Sequence, residues 1–206
     1  MKSNKLVMMG VAILISATAV SQAATLGQRT VGAFGGFSKM EDVDGWAASA
    51  ELNLPVAEQV DLRITFLNAD MDGDDKDFEL LDLEVGERIL MADGIWYIGE
   101  DASGVRPFVG VVGGYSWIDL PMQDQDGFLY GGTAGVEIPF SDVLSFRLSG
   151  HIIKSESDHV DDLIYKGSAE ANIWVSESVG IVASYTYSDQ DGNKGHLYTG
   201  GLRLRF

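Results

Sequence analysis

Hydrophobic and polar positions alternate along nearly the whole chain. In "WAASAELNL" Trp46, Ala48, Ala50, Leu52 and Leu54 share one face, and Ala47, Ser49, Glu51 and Asn53 share the other. In "VDLRITF" Val60, Leu62, Ile64 and Phe66 oppose Asp61, Arg63 and Thr65. In "LSFRLSGHI" Leu144, Phe146, Leu148 and Ile152 oppose Ser145, Arg147, Ser149 and His151. A two-residue period marks strands whose two faces meet different surroundings. The pattern predicts ten strands, near 29–38, 46–54, 60–67, 78–98, 105–118, 128–138, 143–153, 164–175, 179–187 and 196–206.

The connections alternate in kind. Those after strands 2, 4, 6 and 8 are short ("PVAEQ", "EDASG", "PFSD", "SES"), whereas 39–45, 68–77, 119–127, 154–163 and 188–195 are longer and acidic. Short turns at one end and long loops at the other predict an all-β fold: a transmembrane, antiparallel, up-and-down β-barrel of the outer-membrane kind. Both chain ends then lie on the short-turn, periplasmic side and the acidic loops outside the cell. Ten strands are expected, with eight or twelve as alternatives. The ambiguity sits in strand 4, where Leu81, Leu83 and Val85 share one parity while Trp96 and Ile98 share the other. The "ADG" at 92–94 is a bulge signal that would reconcile them within one long strand.

The ends and the composition narrow the class. Residues 1–23 combine Lys2 and Lys5, an apolar run over 6–20 and Ser21-Gln22-Ala23. This is a secretory signal pattern, which leaves 24–206 as the barrel domain. No other apolar run reaches the length of a spanning helix. The chain has no cysteine, so neither disulfides nor a thiol nucleophile are available. Without Lys2 and Lys5 it carries 12 basic and 31 acidic residues. That balance argues against a nucleic-acid partner, which calls for a basic face.

Trp46, Phe66, Tyr115, Trp117, Tyr130, Tyr165, Tyr185, Tyr187 and Tyr198 fall on the apolar face near the loop ends of their strands. Amphipathic rings at that level suit a membrane–water interface. The other face would line the lumen. It holds Glu51, Asp61, Arg63, Asp82, Glu84, Arg88, Arg106, Glu137, Arg147, His151, Lys166, Glu170, Arg203 and Arg205. Seven are fixed cations and six are anions. Enclosed charges are costly unless paired, so near-balance predicts a salt-bridge network filling the lumen.

The chain ends "HLYTGGLRLRF", with Tyr198, Leu202, Leu204 and the terminal Phe206 on one face. This resembles the C-terminal strand of bacterial outer-membrane barrels, which implies recognition by the barrel assembly machinery. The stretch "PFVGVVGGY" at 107–115 resembles strands of the outer-membrane protein A-like and porin-like small barrels. The count of ten departs from that family's commonest eight. The resemblance implies a structural barrel, a narrow channel or an adhesion surface.

Two catalytic arrangements can be drawn. Ser149, His151 and Glu170 fall on neighbouring inward faces. The order of Asp70 and Asp72 followed by Asp158, His159 and Asp161 resembles the omptin proteases, ten-stranded barrels with paired aspartates on one rim and a His–Asp pair on the other. The chain is shorter than omptins and its His–Asp spacing differs, so no catalysis is expected.

The motif Asp-x-Asp-Gly occurs at 42–45, 70–73, 124–127 and 189–192. Asp-Gly supplies the positive φ of tight hairpin turns, which is sufficient reason for a hairpin protein to repeat it. One copy lies in "NADMDGDDKDFE", which has calcium-loop spacing: Asn68, Asp70, Asp72, Gly73 and Glu79, with Asp74 alongside. A weak Ca²⁺ or Mg²⁺ site is expected there, and no other cofactor. The five long loops hold 17 acidic and four basic residues. Divalent cations would bridge such a crown to lipopolysaccharide phosphates in the surrounding lipid. The expected role is structural or surface-interacting, with a narrow cation-preferring channel as the alternative.

Overall fold

A computed structural model describes residues 28–40, 43–73, 83–98, 105–119, 125–141, 143–157 and 161–206. Ten strands form one closed antiparallel barrel in which each pairs with its sequence neighbours, and β1 pairs with β10. They are β1 Thr30–Met40, β2 Val43–Ala57, β3 Val60–Gly73, β4 Leu83–Tyr97, β5 Arg106–Asp119, β6 Gln125–Pro139, β7 Leu144–Ser157, β8 Asp161–Trp174, β9 Val179–Gln190 and β10 Asn193–Arg205. The meander closes because every strand finds two partners, which leaves no sheet edge. The proposed signal segment lies outside the described residues.

The burial pattern inverts that of a soluble protein. Among the described residues, twenty-nine large apolar or aromatic side chains are exposed, against seventeen buried hydrophobic ones. Soluble monomers rarely expose a continuous apolar surface of this extent. The outward face is therefore built to be covered by something apolar.

Four features differ from the sequence reading. First, the strands run further than the alternation indicates, into all five segments read as acidic loops. Backbone pairing continues where both faces turn polar, because ladder hydrogen bonds form irrespective of side-chain polarity. Second, β4 has no bulge at 92–94: Ala92, Asp93 and Gly94 pair in register with both β3 and β5. The one register shift between β2 and β3 falls between Pro55 and Ala57, where proline lacks a donor for the ladder.

Third, the parity of β4 is set by Leu90 and Trp96 facing out. Arg88 shares that outward parity, is half-exposed, and bonds Asp119 at 2.7 Å outside the lumen. Glu87, Asp93 and Tyr97 are the inward groups. The expectation for Arg88 fails because β4 is apolar on both faces, with Ile89, Met91 and Ile95 inside, so alternation carries little signal there. Glu84 lies on β4 opposite Asp72, and Asp82 lies outside the described residues.

Fourth, the Asp-x-Asp-Gly copies do not share one conformation. At 189–192 Asp191 has φ 52° and Gly192 φ 84°, a two-residue turn whose Gly192 N–H donates to Asp189 Oδ1 at 3.1 Å. Residues 70–73 are instead paired strand.

Candidate functional site

The lumen is the enclosed polar volume, and its side chains fall into layers. Toward the end where β1 begins and β10 ends (the near end) the inward faces are charged. Glu51, Asp61, Arg63, Asp93, Arg106, Glu137, Arg147, Glu170 and Arg203 are all buried there. One chain of contacts crosses the barrel from β8 to β4. Glu170 Oε1 lies 3.4 Å from Arg203 Nη1, Arg203 Nη2 lies 3.3 Å from Glu51 Oε1, and Glu51 Oε2 lies 3.9 Å from Arg63 Nη1. Arg63 closes the chain on Asp93, with Nη2 at 2.6 Å and Nε at 2.8 Å from Oδ2. A second series, Arg106–Glu137–Arg147–Glu170, runs directly cross-strand over β5 to β8 with alternating sign. Opposite charges directly across a ladder attract, although the Arg147 guanidinium nitrogens make no hydrogen bond to either neighbour and lie over Phe108 instead. Asp61 accepts a 3.0 Å hydrogen bond from Asn53 Nδ2.

Glycines make this filling fit. Inward Gly201 and Gly32 lie beneath the Phe34 ring, and Gly135 lies beneath Phe108; a Cβ at Gly201 would fall 2.5 Å from Phe34. The rings lie flat on the wall and carry guanidinium groups: Arg147 at 4.1 Å over Phe108, Arg205 at 3.9 Å over Trp174 and Arg203 at 5.8 Å over Phe34. Aromatic faces attract cations, so each ring holds a guanidinium within the lumen filling. The strand alternation identified the charges; it did not identify this stacking.

The middle of the lumen is hydroxyl-rich. Ser149 Oγ lies 2.6 Å from Ser168 Oγ, and Thr133 donates to the Gly150 carbonyl at 3.1 Å. His151 and Lys166 are buried beside them, opposite one another on β7 and β8. Toward the far end apolar groups join the lining: Leu67, Ile89, Leu129, Ile153, Ile164 and Leu197 point inward and are almost wholly buried, interleaved with buried Ser38, Glu87, Ser116, Ser155, Thr186 and Gln190. These apolar positions share the inward parity with charges lower on the same strands. Sequence reading missed them because it assigned apolar residues to the outside.

The other expected sites are placed as follows. Ser149 bonds Ser168 rather than His151, so the Ser–His–acid set is not assembled. Asp70 is exposed on β3; Asp158 and His159 lie outside the described residues, so the omptin-like pairing falls beyond the described structure. Asn68, Asp70 and Asp72 are alternate residues of paired strand, and successive Cα atoms on one face are roughly 6.6 Å apart. Gly73 is the last described residue of β3, and Asp74 and Glu79 lie outside the described residues. No group of three or more metal-ligating side chains occurs among the described residues. At the C-terminus Tyr198, Leu202, Leu204 and Phe206 are exposed on one outward stripe.

Of the aromatic residues expected near the loop ends, Trp46, Phe66, Trp117, Tyr130, Tyr165, Tyr185 and Tyr198 are exposed at the far rim, and Tyr115 and Tyr187 are half-buried. Tyr185 Oη lies 2.9 Å from His196 Nδ1. The Tyr187 hydroxyl donates to Asp189 Oδ2 at 3.2 Å and the Tyr130 hydroxyl to Glu156 Oε2 at 3.1 Å. Tyr115 donates to Asp126.

No protein-family model matches the chain, and no curated protein matches it. Solved structures do. The translocator domain of the autotransporter NalP from Neisseria meningitidis superposes with a TM-score of 0.56 at 11% identity, over 100% of this chain and 97% of that one. The outer-membrane protease OmpT from Escherichia coli gives 0.50 at 9% identity, over 90% and 99%. The NanC porin gives 0.50 at 11% identity, over 85% and 100%. A translocator, a protease and a porin share this architecture, so the likeness is one of fold: the chain folds as barrels of the outer membrane do.

Proposed function

We propose that this chain is a bacterial outer-membrane barrel with a closed lumen and a structural or surface-interaction role, without catalysis. The observation that supports the reading is the filling of the lumen by two chemically different layers of buried side chains. The ion chain Glu170–Arg203–Glu51–Arg63–Asp93 fills the near half, and a layer rich in large aliphatic side chains, Leu67, Ile89, Leu129, Ile153, Ile164 and Leu197, follows it. An ion passing the first layer would have to displace fixed counter-charges. It would then meet a tightly filled belt in which these apolar side chains leave only a few hydroxyl, amide and carboxylate groups to replace its water. In this reading both termini face the periplasm and the far rim faces outward. The stripe of Tyr198, Leu202, Leu204 and Phe206 serves the barrel assembly machinery. The exposed carboxylates Asp44, Asp70, Asp119, Asp126 and Glu156 face lipopolysaccharide, with divalent cations between them.

The test is planar-bilayer recording of the refolded protein. No discrete conductance is expected. Stable, cation-selective openings would favour the channel alternative, in which the acidic rim concentrates cations at the mouth.

A further inference from the structure

Two rows of outward side chains cross four consecutive strands at the far rim. The lower row is aromatic: Trp46, Phe37, Tyr198 and Tyr185 are direct cross-strand neighbours on β2, β1, β10 and β9. Trp46 and Phe37 are each 51% exposed and Tyr198 is 56% exposed. In the row above, Asp44, Lys39, His196 and Tyr187 are neighbours in the same order, and Lys194 follows His196 on the same face of β10. The His196 ring lies between Tyr185 and Tyr187, with centroids 6.1 and 5.6 Å away.

The charges here differ from those on the rest of the rim. Elsewhere, Arg88 is held by Asp119, and Lys154 lies over the Tyr130 ring whose hydroxyl bonds Glu156. On this face Lys39 and Lys194 are exposed; Lys39 stands directly across from exposed Asp44, and among the described residues no ion pair joins either lysine to a carboxylate. Asp189, opposite Lys194, is engaged at both oxygens, by Gly192 N–H and by the Tyr187 hydroxyl. When the Tyr185 hydroxyl donates to His196 Nδ1, Nε2 keeps its proton and is a donor on the strand that carries Lys194, across from Lys39. Two ammonium groups and an imidazole N–H above a shelf of rings complement a phosphate carried on an apolar body.

We propose that the β9–β10–β1–β2 face binds the phosphate of a membrane lipid headgroup, with Lys39, Lys194 and His196 on the phosphate and the aromatic row against the lipid body. This rests on the outer-membrane reading above. The test folds the protein into phosphatidylcholine vesicles containing a minor fraction of phosphatidic acid as phosphomonoester probe. Native mass spectrometry then counts the lipids retained after extraction, and heat-modifiable gel mobility reports insertion.

The parent is expected to retain phosphatidic acid above its share of the vesicle. Each lysine near a membrane surface is worth about a fivefold preference for an anionic headgroup. Lys39→Gln/Lys194→Gln should therefore cut the enrichment roughly 25-fold. Arg88→Gln/Lys154→Gln removes the same charge from the other faces and should retain the enrichment. Insertion without enrichment, equal enrichment in the first double variant, or equal loss in the second overturns the patch alone. Displacement by inorganic phosphate at an equal concentration would overturn the lipid as its ligand. Failure to insert would overturn the membrane reading itself.

Discussion

Arg203→Met is the most informative perturbation of the lumen. Arg203 is the largest fully buried side chain of the described residues and joins two carboxylates, Glu51 at 3.3 Å and Glu170 at 3.4 Å. Methionine keeps much of the volume and removes the charge. Glu51 is then left with Arg63 at 3.9 Å, and Glu170 with Arg147 directly opposite on β7. Removing one partner of a buried ion pair costs about 3–5 kcal/mol, because the remaining charge stays enclosed without compensation. Neutralising all three groups removes that penalty. Glu51→Gln/Arg203→Met/Glu170→Gln is therefore expected within about 2 kcal/mol of the parent, while Arg63 keeps Asp93. The assay is reversible urea unfolding in lipid vesicles followed by fluorescence of the four tryptophans, with equal m-values required before free energies are compared. The reasoning is refuted if Arg203→Met lies within about 1 kcal/mol of the parent, or if the triple variant is as unstable as the single one.

Three further outcomes are expected. Arg203→Ala alone should stay silent in planar bilayers, because the aliphatic-rich layer is intact, whereas adding Leu129→Ser and Ile153→Ser should produce measurable conductance. Gly201→Ala should destabilise by about 1–3 kcal/mol through overpacking, since its Cβ would stand 2.3 Å from the Ala33 carbonyl oxygen. Outward Gly200→Ala, whose nearest atom is 3.8 Å away, should be neutral or stabilising in the same unfolding assay. Gly192→Ala should cost about 1 kcal/mol in its positive-φ position, while Asp191→Asn, which also tolerates that region, should cost less; urea midpoints at constant m decide it.

Strand number, antiparallel order and barrel class were legible in the alternation, because a two-residue period is a local property that survives without knowledge of neighbours. The buried positions of Glu51, Asp61, Arg63, Arg106, Glu137, Arg147, Lys166, Glu170 and Arg203 were legible for the same reason. The parity of β4 was not, because Ile89, Leu90, Met91 and Ile95 make both of its faces apolar and only pairing with β3 and β5 orients it. The conformations of the Asp-x-Asp-Gly copies were not legible either. Asp191-Gly192 turns because the two-residue connection demands positive φ, whereas Asp72-Gly73 lies between two partners that hold it extended. The same limit applies to the lumen. Which inward charge meets which depends on closure, which sets β10 and β2 on either side of β1, with Gly32 between Arg203 and Glu51. The contact of Arg203 with Glu51 joins residues 152 positions apart, and no local period encodes it.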